Sequence, residues 1–239
     1  MSSTGIVTHH TPKHLANFKV GVDNVIFSVD TQHNQLLVLL SQRQDEPCFG
    51  WWSLPGTLVR QGELLEAAAR RILAEKIQVS NLYLEQLYTF SDPNHASPVE
   101  SRYLSISYFA LVRYEEARLL STVGKTAWYT LRDVPTLSFN HSQILEYGYR
   151  RLRNKLEYSP IAFDVLPDVF TLNDIYQLYT TVLGENFSDY SNFRARLLKL
   201  GFLSDTGDKV SRGAGRPASL YRFDAEAFAP LKDKPLVFI

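Results

Sequence analysis

One cysteine, one methionine and no formal net charge are the scarcities that first constrain this 239-residue sequence. With Cys48 alone there is no internal disulfide to form, and a reducing, cytosolic setting is the simplest reading. The same scarcity, with only scattered histidines, argues against a structural zinc site, and no metal is expected. Long hydrophobic runs are missing too: stretches such as Leu36-Leu37-Val38-Leu39-Leu40 fall far short of a bilayer span. The N-terminal region, with His9, His10 and Lys13 among polar residues, lacks the apolar core of a signal peptide. A cytoplasmic protein without membrane contact is expected. The 25 basic and 25 acidic residues cancel, so any pull on nucleic acid must come from a local patch. What is present suffices for a globular fold. An apolar fraction of 45% with 13% aromatics builds a core, 21% charge is ordinary, and the length suits two domains.

The first part of the chain reads as strands around a helix. Val20, Val22, Val25, Ile26 and Phe27 suggest a strand, and Thr31 to Asn34 a turn. Leu36 to Leu40 suggests a second strand, buried on both faces. Asp45 to Gly50 reads as a loop. Gly62-Glu63 opens a helix in which Leu65, Ala69, Ile72 and Leu73 recur at helical spacing. Tyr83 to Phe90, Tyr103 to Val112 and Lys125 to Leu131 read as further strands, with a polar, proline-punctuated loop from Ser91 to Pro98. Strands mixed with one or two helices predict an α+β sandwich over roughly residues 15 to 140.

His141 to Tyr158 reads as a connecting helix, apolar along Ile144, Tyr147, Leu152 and Leu156 and basic elsewhere. Pro160 and Pro167 bracket a short apolar linker or docking strand. The domain boundary is placed near residue 158, giving domains 1–158 and 159–239. Thr171 is a plausible cap for a helix through Leu183, ended by Gly184. Ser188 or Asp189 caps a second helix, Tyr190 to Leu200, with Phe193, Leu197 and Leu200 as its buried stripe. A strand from Phe202, a turn at Asp205 to Asp208, a tip at Ser211 to Pro217 and a return strand at Leu220 to Phe223 complete a winged helix-turn-helix order.

The chemistry-bearing stretch is Pro55 to Val79, which aligns with the Nudix pattern G-x5-E-x7-R-E-U-x-E-E-x-G-U. Glu63 and Arg71 fall on the first Glu and the Arg, and Leu73 and Val79 on the apolar positions. Thr57 stands on the first Gly and Gln78 on the last. The three metal-binding glutamates fall on Ile72, Glu75 and Lys76, so one carboxylate survives of three. Diphosphate hydrolysis needs a hard divalent cation, held by carboxylate oxygens on one helix face. Isoleucine offers no ligand. Lysine at about 4 Å from a cation costs on the order of 4 kcal/mol at an effective dielectric of 20. Hydrolysis is not expected. Lys76 reads either as a counter-charge for a ligand diphosphate or as a lysine on an unconstrained helix face. Arg71 and Glu63 are expected to pair across the loop–helix junction.

From Ser188 to Arg222 seven basic residues (Arg194, Arg196, Lys199, Lys209, Arg212, Arg216, Arg222) face three acids (Asp189, Asp205, Asp208). That excess predicts DNA contact by Ser191, Asn192, Arg194, Arg196, Lys199, Lys209, Arg212 and Arg216. Asn192 and Arg196 are the candidates for base edges, and Arg194 and Lys199 for phosphates. The wing arginines suit a backbone or a narrow minor groove.

Residues 15 to 235 resemble the NrtR-type Nudix-related transcriptional regulators of bacterial NAD metabolism. The resemblance rests on Leu36 to Arg43, Trp52-Ser53-Leu54-Pro55-Gly56, the degenerate box, Tyr88 to Pro93, Arg102 to Tyr108 and Gly215 to Phe223. It implies a Nudix-like α/β/α sandwich with a winged helix, acting as a repressor of NAD synthesis or salvage genes. ADP-ribose would be an effector rather than a cofactor. It further implies a ligand pocket lined by Arg43, Trp52, Ser53, Leu54, Gly56, Thr57, Arg60, Lys76, Arg102 and Tyr103, with Trp52 or Tyr103 stacking on adenine. A homodimer on a palindromic double-stranded operator is expected. Two rival readings are an active ADP-ribose or nucleoside-diphosphate-sugar pyrophosphatase, and an adaptor that uses the winged helix for RNA or protein contact.

Overall fold

The computed structural model describes residues 18–31, 33–79, 83–91, 102–114, 117–120, 124–184, 187–211 and 216–231. The first part runs β1 (Phe18–Asp30), β2 (Gln35–Gln42), β3 (Trp52–Ser53), β4 (Gly56–Leu58), α1 (Leu65–Lys76), β5 (Ile77–Gln78), β6 (Tyr83–Ser91), β7 (Arg102–Arg113), β8 (Arg118–Leu119) and β9 (Thr126–Thr130). It continues through α2 (His141–Tyr158), α3 (Ile161–Asp164), α4 (Leu172–Leu183), α5 (Tyr190–Lys199), β10 (Leu203–Val210), β11 (Ala218–Phe223) and α6 (Ala225–Phe228).

Strand β1 organises the main sheet. It runs parallel to β7 from Phe18↔Arg102 to Val29↔Arg113. Its other edge is divided: Gly21 to Asp23 pair with β4, and Phe27 to Asp30 pair with β2. Strands β9 and β3 add to β2, and β6 adds to β7 at the opposite edge. Side chains alternate across each strand. Val25, Phe27 and Val29 with Val38, Leu40, Phe109 and Leu111 therefore face α2, in a core that continues into α4 and α5. Ile26, Leu39, Ala110 and Val112 face α1 through Leu73, while Val22 and Ile106 meet Ala68 and Ala69. Helices on both sheet faces make the expected α/β/α sandwich.

The expected cap at Thr171 is a full capping box. Asp174 N donates to Thr171 Oγ1 at 3.2 Å, and Thr171 N donates to Asp174 Oδ2 at 2.9 Å. Asp189, rather than Ser188, caps α5, accepting from Asn192 N at 3.0 Å. Of the expected stripe, Phe193 and Leu197 are buried and Leu200 is half-buried. Three expectations are corrected. The segment after Pro160 is the short helix α3, because Ile161 and Ala162 bury together against the core; an extended strand would separate them onto opposite faces. The Nudix helix begins at Leu65, after Glu63 has turned back to accept from Arg60 N. Asp205 to Asp208 is not the hairpin turn but lies inside β10. There the register jumps from Asp205↔Tyr221 to Lys209↔Ser219, so the stretch is a bulge. Gly207 supplies the positive φ of 82° that it needs.

Helix α2 ties the sheet to the winged helix. Tyr179 Oη donates to Leu156 O at 3.1 Å and Tyr149 Oη to Val182 O at 3.0 Å. At the sheet end, a Cβ added to Gly148 would lie 2.8 Å from Val25 Cγ1. Gly148→Ala should therefore destabilise the protein by about 1–3 kcal/mol through overpacking, although alanine favours helix by up to about 1 kcal/mol. Denaturant melts of both proteins check this; a stabilised variant would show that α2 is free to shift.

Candidate functional site

Two places carry chemistry: the end of the sheet around β4, and the exposed side of the winged helix. In the first, Arg71 gathers the loop before α1. Its Nε donates to Glu63 Oε1 at 2.7 Å and its Nη2 to Glu63 Oε2 at 2.9 Å, a bidentate pair. The same guanidinium reaches Thr57 Oγ1 at 3.5 Å and lies 3.7 Å from Glu75 Oε1. The pair expected between Arg71 and Glu63 is thus present. Hydrogen bonds from Arg71, then from the Arg60 amide, hold the Glu63 carboxyl down at about 2. Ile72 and Lys76 lie on the covered side of α1, while Glu75 faces solvent. Burial lowers the Lys76 ammonium pKa, and Glu75 opposes that shift.

Period-two alternation divides the expected pocket residues. Thr57 lies opposite Val22 and faces α1; Gly56 lies opposite Asp23 and faces α2. Gly56 has no room for a side chain, since its Cβ would fall 2.0 Å from Asp23 Oδ1. Ser105 Oγ donates to Asp23 Oδ2, and His141 Nε2 lies 3.6 Å from Asp23 Oδ1. His141 Nδ1 accepts from Leu54 N at 2.9 Å, so the ring's remaining proton belongs on Nε2, toward Asp23. The His141 ring stands 5.6 Å from Phe139, which takes a positive φ of 56°, and Phe139 stacks under Arg43 at 4.7 Å. Gly56, Asp23, Ser105, His141, Phe139 and Arg43 therefore form one connected polar end of the sheet.

The other expected residues fall differently. Arg43 is partly committed, donating from Nε to Pro47 O at 2.9 Å and from Nη2 to Asp45 O at 3.4 Å, so it orders the Asp45 to Gly50 loop. Trp52 is half-buried, edge-on to Tyr129 at 5.0 Å, which leaves Trp51 as the more exposed indole. Ser53 is buried and donates to Ser41 O at 3.0 Å, and Leu54 is core. Arg60 is exposed. Arg102 lies over Phe18 at 5.2 Å, and Lys19 over Tyr103 at 5.6 Å, interleaved by the β1–β7 register. Asp23, Ser105, Phe139 and His141 were missed. The one signal was Asp23-Asn24 interrupting an apolar strand.

On the winged helix, Ser191, Asn192, Arg194, Arg196, Lys199, Lys209 and Arg216 are all exposed. Arg212 lies outside the described residues. The Asn192 amide is not wholly available for a base, because Nδ2 donates to the capping Asp189 Oδ2.

Residues 17–148 match the NUDIX domain, and residues 158–239 match the AraR C-terminal winged HTH domain. The chain is 33% identical to the ADPR responsive transcriptional repressor NtrR of Acinetobacter baylyi over 207 residues, covering 84% of this chain and 80% of that one. It belongs to the NrtR family of Nudix-related transcriptional regulators. Shewanella oneidensis NrtR complexed with a 27mer DNA matches with a TM-score of 0.74 at 33% identity, covering 87% of this chain and 94% of that one. The NUDIX domain of the same NrtR, complexed with ADP ribose, matches with a TM-score of 0.51 at 34% identity, over 60% of this chain and 94% of that one. In this NrtR-family chain no helix among the described residues is long and apolar enough to cross a membrane.

The Glu63–Arg71 pair gives a pH signature. Its folded pKa of about 2 lies below the ordinary 4.5, so its stabilisation is present above pH 4.5 and is lost as the pH falls through about 2. Glu63→Gln should lower stability at neutral pH, and the gap to the parent should close between pH 4.5 and 2 in denaturant melts. A gap independent of pH would assign the effect to something other than the ionised carboxylate.

Proposed function

We propose that this chain is a DNA-binding repressor of NAD synthesis or salvage genes, controlled by ADP-ribose that its Nudix fold binds and releases unchanged. One observation carries the reading: the Nudix sheet and the winged helix share a continuous core through α2, leaving α5 and the hairpin facing solvent. The similarity to relatives described as ADPR responsive and as complexed with DNA or ADP ribose supports the effector and the DNA.

The box supports binding without turnover. A hard divalent cation needs several carboxylate oxygens on one site. Here Ile72 supplies none, Lys76 brings a positive charge, and Glu63 is bound bidentately by Arg71. The donor set does not fit the metal, and no hydrolytic step is derived through it. The diphosphate is assigned to Arg43, Arg60 and Arg102 together with the Gly56–Thr57 backbone, and adenine to Tyr103. Ser53, Leu54 and Lys76 act by packing rather than by contact. The ligand-binding domain is taken as residues 1–158 and the DNA-binding domain as 159–239. Two copies reading a palindrome supply the specificity that one winged helix lacks, and the regulator works in the cytoplasm.

Coupling requires an element that both sites bias. His141, the first residue of α2, faces Asp23, and the far end of α2 bonds the winged helix through Leu156. ADP-ribose should weaken duplex binding at least tenfold in fluorescence anisotropy, using duplexes from upstream of NAD-synthesis genes. Unchanged affinity at saturating ADP-ribose refutes the control. Magnesium-dependent AMP release would instead restore the pyrophosphatase reading.

A further inference from the structure

The exposed face of α5 carries arginines at its flanks and, near its centre, small and apolar side chains with one cation, Lys199. At about 100° per residue, the buried Phe193 and Leu197 fix the inward direction, and Ala195 stands opposite their midpoint. Ser191 and Lys199 lie about 40° to either side of Ala195, whereas Arg194 and Arg196 lie about 100° away on opposite flanks. An open depression of about 240 Å³ marks this face, lined by Tyr190, Ser191, Arg194, Ala195 and Leu198. Tyr190 and Leu198 remain 39% and 37% exposed, which is large for apolar side chains on a helix that carries no acid between its cap and its end. The Tyr190 ring is set edge-on to Tyr176 at 5.2 Å, and the Tyr176 hydroxyl donates to Ser188 O at 2.9 Å, so this wall of the depression is fixed.

A helix entering the major groove presents the centre of its outer face to the base edges and its flanks to the two phosphate walls. Arginines at the flanks suit the phosphates. The centre offers a methyl (Ala195), an isobutyl (Leu198) and a hydroxyl (Ser191) on the side of the depression, with Lys199 and the cap-bonded Asn192 on the other side. The major-groove feature that apolar side chains recognise is the C5 methyl of thymine. We infer that α5 reads its operator through thymine methyl groups seated against Ala195 and Leu198, with Arg194 and Arg196 holding the phosphates on either side. In this arrangement Arg196, expected at a base edge, contacts phosphate instead. The inference rests on the DNA-binding reading above and adds a specificity determinant to it.

The test starts by selecting binding sequences from a random duplex library with the full-length protein. The enriched duplex is then synthesised with thymine or with deoxyuracil at each thymine position, which removes only the C5 methyl. Uracil is expected to weaken binding about fourfold at one or two positions in each half-site, the effect of one buried methyl. Leu198→Ala should lose that discrimination and bind both duplexes alike, while Lys199→Ala should weaken both equally and keep it. If uracil at every position leaves the affinity of the parent protein unchanged, methyl readout is overturned and DNA binding stands. If no duplex is enriched or bound, the DNA-binding reading itself falls. The parent arm needs no variant, so a Leu198→Ala protein that fails to fold leaves the question answerable.

Discussion

The close seating of α2 on β1 is the constraint on which the architecture depends. A helix lies near a strand only if the residue at the crossing is small, and Gly148 against Val25 is that residue here. The approach lets Ile144, Leu152 and Leu156 bury against the sheet while the other end of α2 receives Tyr179 from α4. Tyr179 is fully buried, and burial pushes its phenol far above the ordinary range, so it serves as a neutral donor. From the sheet, Arg113 donates from Nε to Val165 O at 3.3 Å and from Nη2 to Leu166 O, tying β7 to the segment after α3. The winged helix is therefore docked by apolar packing and by hydrogen bonds to main-chain carbonyls, which fix direction as well as distance.

A second network steadies the outer side of α2. Glu85 on the edge strand β6 receives Arg151 at 2.5 Å and Lys155 at 2.6 Å, together with the Tyr83 hydroxyl. Two cations on one part-buried carboxylate leave local positive charge, and the three charged side chains remain 17 to 27% exposed. Pairs of that exposure contribute little singly. Together they join α2 to the edge strand β6.

Much of the fold was legible because it obeys local rules. Thr171 with Asp174 three residues on is a capping box, and Gly184 a helix stop, so α4 could be bounded to the residue. The apolar run Leu36 to Leu40 announced a strand buried on both faces. The bulge in β10 was hidden because Asp-Thr-Gly-Asp is also good turn chemistry, and only the pairing of β11 decides between the two. The site was legible by half. Motif spacing found Glu63 and Arg71, which are close in sequence, and the family resemblance supplied Gly56. It could not find Asp23, Ser105 and His141, because the contacts of Ser105 and His141 with Asp23 span 82 residues or more. It also pooled Gly56 with Thr57, although the sheet sends neighbours to opposite faces.

That division bears on how a Nudix fold becomes a sensor. The side of β4 that faces α1 is where the box lies; there Arg71 neutralises Glu63, while Glu75, the surviving carboxylate of the metal positions, faces solvent. The side that faces α2 keeps an acid, Asp23, whose neighbours are a hydroxyl and a histidine on the helix that runs to the winged helix. Ile72 and Lys76, on the metal-ligand positions of α1, lie on the opposite face of the sheet from Asp23. Asp23 meets the first residue of α2, and that helix, at 18 residues, spans about 27 Å along its axis. The sheet end and the winged helix therefore both pack on the same element. That is the physical requirement for coupling two sites, and it is met by the face that the degenerate motif left intact.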